Sequence, residues 1–172
     1  MAVEGWGFER RLALMIVMAG LTVALSPLHI PVGPTKALPW QHMTNVVLGV
    51  TLGPLWAGAA ALLIGIVRIM TGLGTIFSIP GGIPGAILVG LGAMILRRVG
   101  GRPENAAFLE PVGTAGIGYI LALYIFAPLA GVYEAWLAKG LLVIWIGWAA
   151  STLVGTLIGY TVLKVLRRAG LI

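Results

Sequence analysis

Six apolar stretches, at residues 12–28, 43–52, 55–70, 83–96, 112–132 and 141–166, occupy most of the 172 positions and leave charge to the segments between them. In lipid every backbone N–H and C=O must find a partner inside the protein, and an α-helix meets that demand within one segment. Hydrophobic residues make up 59% of the chain, charged residues 9%, and the mean hydropathy is +1.05, beyond the range of soluble domains. The pattern predicts an all-α integral membrane protein.

Several of these stretches are shorter than the ~20 residues that a straight span needs. Residues 46–70 are the ambiguous case, being either one long helix or two spans broken at Gly53 and Pro54. Charge decides between them. With the break there are six transmembrane helices, both termini are cytoplasmic, and three basic clusters face the same side: Arg10 and Arg11; Arg97, Arg98 and Arg102; Lys164, Arg167 and Arg168. Connections 29–42, 70–82 and 133–140 then lie outside and connection 97–111 inside. Lys36, Arg68 and Lys139 break the basic-inside pattern, which makes them better functional candidates than the cytoplasmic arginines.

The net charge of +6 does not gather on one stripe, so nucleic acid is not an expected partner. There is no cysteine, which excludes disulfides, thiolate metal sites and a cysteine nucleophile. Residues 12–28 follow two arginines but lack a small-residue cleavage pattern before His29, and are taken as the first span rather than a signal peptide.

The segment from Gly72 to Leu91, GLGTIFSIPGGIPGAILVGL, joins two apolar spans through glycine, proline and two hydroxyl residues. Irregular backbone at membrane depth is tolerated only when buried in protein or lining a cavity. Arg68 stands just before it, about 21 Å along a helix from Pro54 by the helical rise. It either snorkels outward or bonds loop carbonyls, a glutamate or a ligand. Together these residues predict a polar pocket roofed by a loop.

Other chemistry is sparse. No GxxxxGK[ST] loop occurs, so the chain does not draw on ATP by itself. It has no Asp; of its five Glu, Glu4, Glu9, Glu104 and Glu110 fall in the expected cytoplasmic tail and loop, leaving Glu134 as the outer acid. Paired-carboxylate catalysis and an intramembrane carboxylate relay therefore lack parts, and no enzymatic activity or cofactor is expected. His29 and His42 make a weak metal signal, and no metal is assigned. Trp40, Tyr133 and Trp136 at outer span ends either anchor in the interface or stack on a planar ligand, whereas Trp145 and Trp148 lie too deep for an interfacial belt. Small residues recur every fourth position at Gly147, Ser151, Gly155 and Gly159, at Ala57, Ala61 and Gly65, and at Gly82, Ala86 and Gly90. Such stripes allow close helix approach, within the chain or to a partner.

The segments IPVGPTKALPWQHMTNVVLGVTLGP (Ile30 to Pro54) and GIVRIMTGLGTIFSIPGGIPGAILVGL (Gly65 to Leu91), with the six-span layout, resemble the thiazole-specific ThiW family. The resemblance is strong over residues 30–91 and a generic hydrophobic pattern elsewhere. It implies a substrate-binding S component of an energy-coupling factor (ECF) vitamin importer in the plasma membrane of a prokaryote. Residues 1–172 would then form one six-helix substrate-binding domain that works with a transmembrane T component and two cytoplasmic ATPases. The implied ligand is hydroxyethylthiazole, with the pyrimidine half of thiamine, thiamine itself or a thiazole phosphate as alternatives, and a stand-alone channel or structural membrane protein as the rival class. The implied substrate residues are Trp40, Gln41, His42, Thr75, Ser78, Tyr133, Glu134 and Trp136, with Asn45 and Arg68 completing the set. S components commonly dock through an Ala-xxx-Ala motif in the first helix. Here Ala13 is followed by Val17, so docking is expected from Gly20 and Ala24 with Gly147, Ser151 and Gly155.

Overall fold

A computed structural model describes residues 5–32 and 35–171, apart from the side chains of residues 35 and 36, so Glu4 and the side chain of Lys36 lie outside the described part. Helix α1 (Phe8–Leu25) leads into a short antiparallel hairpin, β1 (Ile30–Val32) and β2 (Thr35–Ala37), which the sequence pattern did not announce. Helices α2 (Pro39–Leu52) and α3 (Pro54–Met70) follow, then a 3₁₀ turn (Ile76–Ser78) and α4 (Ile83–Arg98). An irregular helix (Pro103–Leu129), a short helix (Tyr133–Lys139) and the last helix (Leu141–Arg168) complete the bundle. Among the described residues three helical stretches are long and apolar enough to cross a membrane, Ile76–Arg98, Pro103–Leu129 and Leu141–Arg168, and Pro54–Met70 is a shorter apolar helix.

The break expected at Gly53 and Pro54 is present. Gly53 adopts φ +90°, a conformation that a side chain disfavours, and Pro54 opens α3 where its missing N–H is no loss. The two helices therefore meet without a connecting loop.

Helix α2 is the axis of the bundle. Of its 14 residues only Trp40 is not buried, although Gln41, His42, Thr44, Asn45 and Thr51 are polar. Its neighbours α1, α3, α4 and the last helix enclose it on all sides. Glycines set those approaches: a Cβ on Gly155 would collide with the Pro39 carbonyl and the His42 Cβ, and one on Gly159 would stand 2.8 Å from the Val46 Cβ. The Thr22 and Thr44 hydroxyls meet at 2.6 Å, pinning α1 to α2 at a contact hidden from solvent.

The connection 97–111 is not the open loop that its charges suggested. Pro103–Leu109 is helical and packs on α4 and the last helix, and the irregular helix that it opens carries π-helical turns at Val112–Gly118 and Ala122–Phe126. Arg97 donates to the Val50 carbonyl, Arg167 pairs with Glu104, and the Phe8 ring lies 5.4 Å from that of Trp56 at the start of α3. These links gather the three basic clusters at one end of the bundle.

Candidate functional site

At the opposite end, where α2 begins, α3 stops and α4 begins, lies a cavity of about 390 Å³. That is within the ordinary range for a small-molecule site. Gln41, His42, Arg68, Thr75, Ser78, Thr114 and Ser151 supply its polar groups, and Leu38, Leu73, Phe77, Trp136 and Trp148 its apolar ones.

The loop after α3 forms one wall. Arg68 closes the last turn of α3, and Gly72 takes φ +73° so that the chain can double back and bond the Gly74 N–H to the Arg68 carbonyl at 2.9 Å. Gly74 is then so close to Arg68 that a Cβ there would stand 3.0 Å from the Arg68 Cβ. The segment is irregular backbone against a cavity, a setting in which such backbone is tolerated in a membrane protein.

Arg68 does not snorkel. Only 3% exposed, its guanidinium donates from Nη1 to Gln41 Oε1 at 2.6 Å and more weakly from Nη2 to the Leu73 carbonyl at 3.4 Å. Its Nε has no hydrogen-bond partner, and no carboxylate pairs with it among the described residues. Gln41 passes the chain on, donating from Nε2 to the Ser78 carbonyl at 3.2 Å. Gly82 makes room for that amide, since a Cβ there would collide with Gln41 Nε2.

A second polar cluster lies beneath the first, and it overturns the placement of Glu110 in a cytoplasmic loop. Glu110 is 0% exposed. Its Oε1 receives Thr114 Oγ1 at 2.8 Å and Asn45 Nδ2 at 3.2 Å, and lies 2.7 Å from His42 Nδ1. Asn45 Nδ2 also donates to the Gly82 carbonyl at 3.0 Å. The residue went unrecognised because Arg97, Arg98, Arg102 and two prolines dominate the segment. The available signal was Thr114 four residues on, on the same helical face.

Aromatic rings form the remaining wall. Phe77 and Trp136 are 4.5 Å apart, Tyr119 stacks on Trp136 at 6.1 Å, and Tyr119 meets Trp148 edge-on at 5.7 Å. Tyr119 in turn donates to the Leu141 carbonyl at 2.7 Å, tying the irregular helix to the last one. Trp136 is thus a buried wall residue rather than an interfacial anchor. Trp148, too deep for the belt, shares that wall, while Trp145 donates to the Ala115 carbonyl at 2.9 Å.

The structure thus brings Gln41, His42, Arg68, Thr75, Ser78 and Trp136 to one cavity, with Asn45 in the cluster beneath. Trp40 instead donates to the Leu28 carbonyl, Tyr133 packs in the cluster around Trp136, and Glu134 is exposed. None of these three lines the cavity. The expected docking stripe is also reassigned: Gly147, Ser151 and Gly155 are buried, Gly155 against α2, and Ser151 lines the cavity and accepts the Leu38 N–H at 3.0 Å. Gly20 and Ala24 are exposed, and nothing lies within 4 Å of a Cβ built on Gly20.

The family model for the thiamine-precursor transporter protein (ThiW) matches residues 12–169, nearly the whole chain. The chain belongs to the ThiW family. Membership fixes a coarse role, a membrane transporter component for a thiamine precursor, and the match extends well beyond residues 30–91, where the motifs lie. No curated protein and no solved structure matches the chain. A cavity with one aromatic and one hydrogen-bonding wall has the make-up of a small-molecule site.

Proposed function

We propose that this ThiW protein is the S component of an ECF-type importer and captures hydroxyethylthiazole in the cavity between α2, α3 and the aromatic wall. The observation that carries this reading is the pairing of the Phe77, Trp136 and Trp148 rings with Arg68, Gln41 and His42 across one cavity. Hydroxyethylthiazole presents the flat π-face of its ring to the former and the hydroxyl of its side arm to the latter. With about nine heavy atoms, such a ligand binds tightly only if nearly all of it is enclosed.

The cavity lies at the end of the bundle away from the basic clusters, which in a membrane would be the outer side, with both termini cytoplasmic and six helices crossing. Gly20 and Ala24 offer a flat, exposed strip on α1 for a T component, which would pass on the work of two ATPases. Purified protein should release a thiazole on denaturation and give saturable heat with hydroxyethylthiazole in calorimetry. Saturation by the pyrimidine half of thiamine alone would overturn the ligand while leaving the family role. Uptake by the bare chain in cells lacking every T component would overturn the S-component role.

A further inference from the structure

The nitrogen by which His42 meets Glu110 fixes what the ring can offer the cavity. Asn45 Nδ2 lies 3.0 Å from the Gly82 carbonyl, which sets the amide so that nitrogen, not oxygen, faces Glu110 Oε1. Thr114 Oγ1 reaches the same oxygen. Two donors thus converge on Oε1, and a carboxyl oxygen without a proton accepts them far better than a hydroxyl does, so the hydrogen in the 2.7 Å contact is assigned to His42 Nδ1. This holds whether or not the other carboxyl oxygen carries a proton. Arg68 and Glu110 already set one buried cation against one anion, so a protonated ring would leave the buried groups with an unbalanced positive charge. The imidazole is therefore taken as neutral, and with its hydrogen on Nδ1 it has a bare Nε2.

We infer that Glu110 is a positioning residue: it holds His42 in the Nδ1–H tautomer, so that Nε2 is the cavity's hydrogen-bond acceptor and selects a ligand whose polar group donates. The inference rests on the proposal that this cavity is the substrate site. Arg68, in the same cavity, has only donors, and its Nε is without a partner. An acceptor from His42 and donors from Arg68 are met together by a hydroxyl group, which gives one hydrogen and takes another. A halide or an ether can take but cannot give. A primary ammonium can give but would stand beside a buried guanidinium. The hydroxyl of the proposed thiazole ligand is such a group, able to give and to take.

Calorimetry with two ligands that differ by one methyl tests this: hydroxyethylthiazole and its 2-methoxyethyl counterpart, which keeps the oxygen acceptor and loses the donor. The wild-type protein should prefer the alcohol by about 10- to 100-fold, the cost of leaving a buried acceptor unmet. In Glu110→Met, which cannot accept from Nδ1, the preference should fall to within about threefold, the ring being free to turn its hydrogen towards the cavity. Glu110→Gln, which retains an oxygen for Nδ1, should keep most of it. A purely structural role for Glu110 would weaken both ligands together and leave their ratio intact, which would overturn the inference. Equal affinity of the wild-type protein for the two ligands would overturn it even if neither variant folds, and would leave the cavity as the thiazole site. Binding of neither ligand by the wild-type protein would overturn the thiazole reading and this inference with it.

Discussion

A Cβ on Gly85 would stand 2.7 Å from Glu110 Oε1, so the buried carboxylate occupies space that the absent side chain leaves open. The fit is reciprocal along the helix pair, because a Cβ on Gly113 would stand 2.7 Å from the Gly85 backbone N and from the Pro84 carbonyl. Helix α4 and the irregular helix thus meet backbone to backbone, and the carboxylate reaches His42 because of it.

Gly85→Ala should therefore destabilise the protein by about 1–3 kcal/mol, the usual range for overpacking a filled interior. A lowered midpoint of thermal unfolding in detergent is the measurement. Gly116→Ala is the comparison, since nothing lies within 4 Å of its Cβ, and it should stay within about 0.5 kcal/mol of the parent.

Arg68→Leu should weaken thiazole binding at least about tenfold, because it removes a charged donor from the cavity and leaves Gln41 Oε1 without its guanidinium. Arg68→Lys should recover part of the loss, as a point charge cannot serve Gln41 and the loop carbonyl in a planar fork. Isothermal titration of the three proteins gives the order. Equal affinities would mean that Arg68 only braces the loop.

Topology is open to a direct test because the chain has no cysteine. Asn105 is exposed at the end of the bundle that holds the basic clusters, unlike its buried neighbour Glu104. A single cysteine at 105 should react with an impermeant thiol reagent only after the cells are permeabilised. Labelling in intact cells would overturn the six-span arrangement.

Two glycine variants should separate internal packing from docking. Gly155→Leu drives a side chain into the Pro39 carbonyl and the His42 Cβ and should abolish the folded peak in size-exclusion chromatography. Gly20 is exposed and a Cβ there has nothing within 4 Å, so Gly20→Leu should leave ligand binding intact while removing co-purification with the T component. Retained co-purification would place the docking surface elsewhere.

Much of this arrangement is legible in the residues. Arg68, Thr75 and Ser78 stand out because polar groups in apolar segments need partners, and partners must be near. Gln41, His42 and Trp136, by contrast, are placed in the site by the family resemblance of residues 30–91 and its loops. The Gly53–Pro54 break is legible from backbone chemistry alone. Glu110 was not, because charge counting treats an acid near arginines as solvated, and only the long-range approach of Gly85 and Gly113 shows that it is enclosed. The small-residue stripes show the same limit: period four says that a neighbour comes close, and Gly155 needed coordinates to show that the neighbour is α2. Tyr133 and Glu134 were drawn in by their loop, yet on a short helix Trp136 turns inward while Glu134 turns out.

The enclosure of α2 bears on how the protein meets membranes of different thickness. At 14 residues the helix is about 21 Å long, well short of a hydrocarbon layer of ~30 Å. On the perimeter, such a helix would force the acyl chains to thin around it, at a fraction of a kcal/mol per ångström. Wrapped by four other helices, it touches no acyl chain, and mismatch falls on the perimeter helices alone. The bundle can tilt or stretch its outer helices to suit longer or shorter lipids while the ring of groups around His42 keeps its spacing.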